Sequence, residues 1–219
     1  YKRQWPLPPN GSLWIWGNNA YGQMGINVGP TSYISSPAQV GSAGNTITPT
    51  FAVGNGVLQV RTNGSLWTWG YNASGQLGDG ATVDRSSPVQ IGTLTNWLKV
   101  YSDAAGVSGA IKQDGSLWMW GYNNLGELGD GTINPKSSPV QIGTQTTWSD
   151  LSIGTGDNSL AIKTNGTLWS WGYNTTGQLG QGDTVARSSP TQVGTLTTWS
   201  KISTNSSNSA AIKQDGTLW

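Results

Sequence analysis

The chain has 219 residues and a formal net charge of +1, with 35% hydrophobic and only 10% charged residues, and it contains neither histidine nor cysteine. A chain so close to neutral has no strong field to draw it onto nucleic acid or an anionic membrane. It has no thiol chemistry or disulfide framework, and it lacks the commonest general base and metal ligand. No apolar run approaches the roughly 18 residues that span a membrane, and the abundance of Gly, Ser, Thr and Asn suits short strands and tight turns better than helices.

A five-residue phrase runs through the chain: Asn-Gly-Ser-Leu-Trp at 10–14 and 63–67, Asp-Gly-Ser-Leu-Trp at 114–118, Asn-Gly-Thr-Leu-Trp at 165–169 and Asp-Gly-Thr-Leu-Trp at 215–219. Its glycine returns every 50 to 53 residues. A repeat of that length is one supersecondary unit stacked on its neighbours. We therefore expect a single repeat domain over 1–219, with units at about 1–45, 46–94, 95–145, 146–196 and a partial 197–219.

Within the unit 146–196, residues 148–153 alternate apolar and polar and predict a first strand. Residues 159–163 predict a second strand, and 167–171 a third after the pair Asn165-Gly166. Both residues of that pair tolerate positive φ, so the second and third strands read as a tight antiparallel hairpin. The glycine-spaced stretch 173–180 predicts a compact loop, Ser188-Ser-Pro190 a boundary, and 191–193 a short fourth strand. Such a sheet cannot bury both faces alone and must stack. The prediction is an all-β fold, a β-propeller of four-stranded blades of about 51 residues, with about four blades present.

Each third strand carries two tryptophans two residues apart, hence on one face. Trp16, Trp69, Trp120 and Trp171 are read as inter-blade packing, since a platform for sugars or bases needs exposed rings. Trp97, Trp148 and Trp199 open the first strands and read as core, with Phe51 in that role in the preceding unit.

The stretch Leu160-Ala-Ile-Lys-Thr-Asn-Gly-Thr-Leu-Trp-Ser-Trp-Gly172, and Tyr-Asn-x-x-Gly-Gln-Leu-Gly at 71–78 and 173–180, resemble the regulator-of-chromosome-condensation repeat family from about Asn10 onward. The resemblance implies a seven-bladed ring, of which this chain spans four periods; the segment is expected to belong to a longer chain or assembly, the alternative being a four-bladed ring closed through its own two ends. Where many family members carry a histidine ahead of the second strand, this chain has Gly56, Val107, Asn158 and Asn208. An activity depending on that histidine is therefore not carried over, and the histidine-containing motifs of the plant ultraviolet photoreceptor are absent. The Trp-rich, Ser/Thr/Asn-rich phrases look most like repeats of bacterial secreted proteins and phage virion proteins.

No catalytic, cofactor or metal constellation stands out. Asp114 and Asp215 occupy hairpin turns, and Asp79 and Asp130 occupy Leu-Gly-Asp-Gly loops whose turn geometry explains them without calcium. Arg85, Lys136 and Arg187 each precede Ser-Ser-Pro and form a candidate partner rim. Arg61, Lys112, Lys163 and Lys213, ending the second strands, read as solvated charges, and the six glycosylation triplets as products of turn chemistry. The resulting expectation is a non-enzymatic binding or structural module without cofactor, extracellular or on a virion, with a protein or glycan partner, no nucleic acid and no membrane insertion. The alternative is an intracellular regulator of a small GTPase or nucleoprotein.

Overall fold

The computed structural model describes residues 13–29, 31–40, 47–53 and 56–219; the turn at Asn10 and the Phe51 side chain lie outside the described residues. Trp14–Asn19 (β1) pairs with Thr31–Gln39 (β2). Three complete four-stranded antiparallel sheets follow, each in plain chain order: Ile47–Val53, Gly56–Arg61, Leu66–Gly70 and Arg85–Gln90 (β3 to β6); Trp97–Ser102, Val107–Lys112, Leu117–Gly121 and Lys136–Gln141 (β7 to β10); Trp148–Gly154, Asn158–Lys163, Leu168–Gly172 and Arg187–Gln192 (β11 to β14). Trp199–Thr204 (β15) pairs with Ser209–Lys213 (β16), and a bridge from Ile212 to Leu218 starts the next strand. No helix of the described residues is long and apolar enough to cross a membrane.

The hairpin turn shows why the phrase recurs. The Asn63 Oδ1 accepts from the Ser65 amide and hydroxyl at 3.0 and 2.7 Å, and the Ser65 hydroxyl in turn accepts from the Trp67 indole N–H at 2.9 Å. Gly64 lies at φ +77° and a Cβ there would collide with the Thr95 carbonyl oxygen, so both backbone conformation and crowding demand glycine. Its own carbonyl accepts the amide of Trp97, the first residue of the next blade.

The fourth strands are longer than expected. Ser-Ser-Pro is not a boundary but the middle of each outermost strand: Arg85 pairs with Gly70 and Val89 with Thr68, so the residues between them bulge opposite Trp69. Proline is tolerated because the strand is at the sheet edge and the bulge releases it from the ladder. The bulge also joins blades, since the Ser137 carbonyl accepts from Gly80 N and the Ser188 carbonyl from Gly131 N, both at 2.8 Å.

Aromatic packing fills the seams. Trp69, Trp120 and Trp171 have no exposed surface, and their indole nitrogens donate to the carbonyls of Gln23, Gln76 and Glu127 in the preceding loop at 3.0, 2.9 and 2.8 Å. Trp16 departs from this set and corrects the expectation made for it. It is 58% exposed among the described residues.

Candidate functional site

Between the sheets β3 to β6 and β7 to β10 lies a groove of about 410 Å³. One wall is the loop ahead of β6 with Asp79, together with Arg85 at the start of β6; the other is built from Trp97, Lys112, Trp118 and Pro139.

A single asparagine shapes the loop. Asn72 is fully buried; its amide donates to the carbonyls of Ala81 and Val83 and to the Asp79 carboxylate, each at 3.1 Å, while its oxygen accepts from Leu77 N at 3.0 Å. Asn123 and Asn174 do the same in the next two blades. These asparagines escaped the reading of the sequence as structural centres, although their recurrence after tyrosine was the available signal. Burial also withdraws Asn72 and Asn174 from glycosylation in the folded chain.

Arg85, Lys136 and Arg187 do recur at one place in three blades, but as ion pairs rather than free cations. Arg85 meets Asp79 at 2.6 Å, Lys136 meets Asp130 at 3.3 Å and Arg187 meets Asp183 at 2.8 Å. Burial alone would raise the Asp79 carboxyl, yet hydrogen bonds from Arg85, Ala81 N and Asn72 hold it below its ordinary value. In the third loop Gln181 replaces the aspartate, and Asp183 supplies the charge from two residues later. The hydrogen bonds from Arg187 bring its pKa down to about 2. Of the three cations, Arg85 lines the groove described above. Among the described residues no group of three or more acidic side chains is arranged to hold a metal ion.

The cations ending the second strands correct the expectation of solvated charges. Lys112 is 4% and Lys163 5% exposed. The Lys112 ammonium lies 3.6 Å from the ring centre of Trp118 and 4.6 Å from that of Trp97, and the two indoles meet edge to face at 6.0 Å. Lys163 repeats this between Trp169 and Trp148 at 3.4 and 4.6 Å, Lys213 more loosely between Trp219 and Trp199 at 4.0 and 5.6 Å, and Arg61 stacks on Trp67 at 3.5 Å. A cation six residues ahead of the tryptophan was legible as a pattern, but not its stacking.

The family model for the regulator of chromosome condensation (RCC1) repeat matches residues 10–57, 63–108, 114–158 and 165–212. The chain belongs to the RCC1 repeat family. Among curated relatives it is 31% identical over 184 residues to the ultraviolet-B receptor UVR8 of Arabidopsis thaliana, covering 83% of this chain and 41% of the receptor. It is 30% identical over 178 residues to the human E3 ubiquitin-protein ligase HERC2, covering 76% of this chain and 4% of the ligase. Among solved structures, human WBSCR16 superposes with a TM-score of 0.79 at 23% identity over 95% of this chain and 55% of that one. Prp20p of Saccharomyces cerevisiae, whose structure is described together with its binding to Gsp1p and histones, superposes at 0.74 with 21% identity over 91% and 51%. The chain thus spans about half the length of these structures, which share its RCC1-like propeller fold.

Proposed function

We propose that this chain is a non-enzymatic binding module that uses the seams between its blades to recognise a protein partner. The observation that carries this reading is the groove of about 410 Å³, where an ion pair, stacked tryptophans and a lysine are fixed by backbone geometry into a ready-made recognition surface. Prp20p, a structural neighbour described with its binding to Gsp1p and histones, supports a protein ligand by analogy. The partial coverage of the relatives supports reading these units as part of a larger, seven-bladed ring. The phrases of the secreted and virion-like variant support an extracellular or virion-surface setting, and the near-neutral charge supports a partner other than nucleic acid.

The test is direct binding of the immobilised chain to candidate surface proteins and to a glycan array, with nucleotide release from small GTPases measured in parallel. Saturable binding of a protein supports the reading. Turnover of a substrate that depends on one groove residue, or accelerated nucleotide release without any other partner, overturns it.

A further inference from the structure

Lys112 and Lys163 are largely buried cations whose ammonium groups donate no hydrogen bond to the described residues, yet neither nitrogen is among the fully enclosed polar atoms left without a partner, so each still reaches solvent. Among the described residues neither ammonium donates a hydrogen bond, and no carboxylate lies within ion-pair distance of either. Two indole faces hold each one in place, which offsets part of the cost of taking an ammonium out of water. They supply no oxygen acceptor, so its N–H donors face water until a ligand provides one.

The acids nearby are already engaged. Asp79 is taken by Arg85, Asn72 and Ala81 N. Asp114, which attracts Lys112 through space, is bonded to the amide and hydroxyl of Ser116 on an exposed turn. In the next blade that turn residue is Asn165, so Lys163 lacks even this distant counter-charge. Beside the two lysines, the indole N–H groups of Trp97 and Trp148 are buried and without an acceptor. Lys112 itself opens onto the groove.

We propose that Lys112 and Lys163 are seats for carboxylate side chains of an acidic segment of the protein partner, laid across successive blades. This rests on the binding-module reading and names the chemistry of its ligand. A single ammonium matches a single carboxylate, and Val89, Ile91, Leu94 and Pro139 beside it suit the apolar remainder of a peptide rather than a polyphosphate backbone. Burial lowers the pKa of both lysines, and an incoming carboxylate acts in the opposite sense by favouring the charged form.

The experiment is a titration of the chain with a short glutamate-rich peptide, followed through the lysine ε-methylene NMR signals, which the indole ring currents displace. The glutamine version of the peptide, acetate and a DNA oligonucleotide serve as comparison ligands. We expect the Lys112 and Lys163 signals to move with the glutamate peptide and not with its glutamine version. Affinity should fall with added salt, drop by about tenfold or more in each of K112M and K163M, and survive in K112R. Unmoved lysine signals, equal affinity in the methionine variants, or tighter binding of DNA would overturn the proposal. Should a methionine variant not fold, the lysine signals of the unaltered chain still decide. A protein partner that binds the double variant as well as the unaltered chain sinks this inference and leaves the module reading standing, whereas failure of every protein partner sinks the reading itself.

Discussion

The indole nitrogen of Trp120 donates to the carbonyl of Gln76, 44 residues earlier, at 2.9 Å, and the same oxygen receives the hydroxyl of Ser108 at 2.8 Å. One backbone carbonyl thus fastens two strands of the following blade. Trp120→Ala removes both ring and bond from a fully buried seam and should cost about 3 to 5 kcal/mol. Trp120→Phe keeps much of the packing but takes away one of the two donors to the Gln76 carbonyl, costing about 1 to 2 kcal/mol. Urea unfolding of the two variants checks the order; equal losses would mean that the hydrogen bond contributes nothing.

Gly129 and Gly143 both hold positive φ, at +73° and +65°, but a Cβ at Gly129 would come within 2.8 Å of the Trp171 indole nitrogen, while one at Gly143 meets nothing within 4 Å. Alanine at Gly143 should cost only the left-handed strain, about 1 kcal/mol. Alanine at Gly129 adds displacement of a packed indole and should cost about 3 kcal/mol in total. Thermal melts of the pair separate strain from collision.

The three ion pairs are not equivalent. The Asp79 side chain is 4% exposed and receives Arg85, Asn72 and Ala81 N, whereas the Asp183 side chain is 42% exposed. Asp79→Ala should destabilise by about 2 kcal/mol because it leaves buried donors unanswered. Asp183→Ala should leave the melting temperature close to that of the unaltered chain, since a solvent-screened pair contributes little. A larger effect at Asp183 than at Asp79 would contradict this.

Two buried acids set the pH response. Burial pushes the Asp103 carboxyl up to about 6, against hydrogen bonds from Val107 N and Gly106 N, and burial also raises Glu127, whose Oε1 has no partner. Between the ordinary aspartate value of 3.8 and about 6 the folded chain keeps a proton on Asp103 that the unfolded chain releases, so stability falls as pH rises through that window. Asp79 and Asp130, held low, act in the opposite sense, and their contribution is lost as pH falls below their ordinary value of 3.8. Stability should therefore peak at roughly pH 4 to 5. Asp103→Asn should remove a loss on the order of 2 kcal/mol between that peak and neutrality. Melting curves across this range, with and without the substitution, provide the check.

Glu127 stands where the neighbouring units carry Gln76 and Gln178, and its Oε2 accepts Leu125 N at 2.8 Å just as the Gln76 oxygen accepts Ser74 N at 2.9 Å. Glu127→Gln keeps that bond while removing the buried charge, and should stabilise the chain at neutral pH by on the order of 1 kcal/mol. Chemical denaturation at neutral pH measures it; a loss of stability would show that the carboxylate has a partner which glutamine cannot serve.

The repeat and its hairpins were legible because turn chemistry is local: Asn63, Gly64 and Ser65 carry their own instructions within a few residues. The longer fourth strand was hidden because Pro88 reads as a breaker unless the strand is known to lie at a sheet edge. The lysines were misread for a similar reason. Charge type predicts solvent, but Lys112 lies between Trp97, 15 positions before it, and Trp118, six after it, a meeting made by strand pairing rather than by adjacency. Asp183 was overlooked because it performs the task of Asp79 from a different place in the loop.

The bonds from Trp97 N to Gly64, Trp148 N to Gly115 and Trp199 N to Gly166 join the same atoms at three successive junctions. Removing one whole unit would therefore leave the same backbone donor and acceptor facing each other across the cut. Gene duplication and deletion can add or remove blades at these joints without inventing a new contact, so the length of such a chain is free to drift while its junctions stay unchanged.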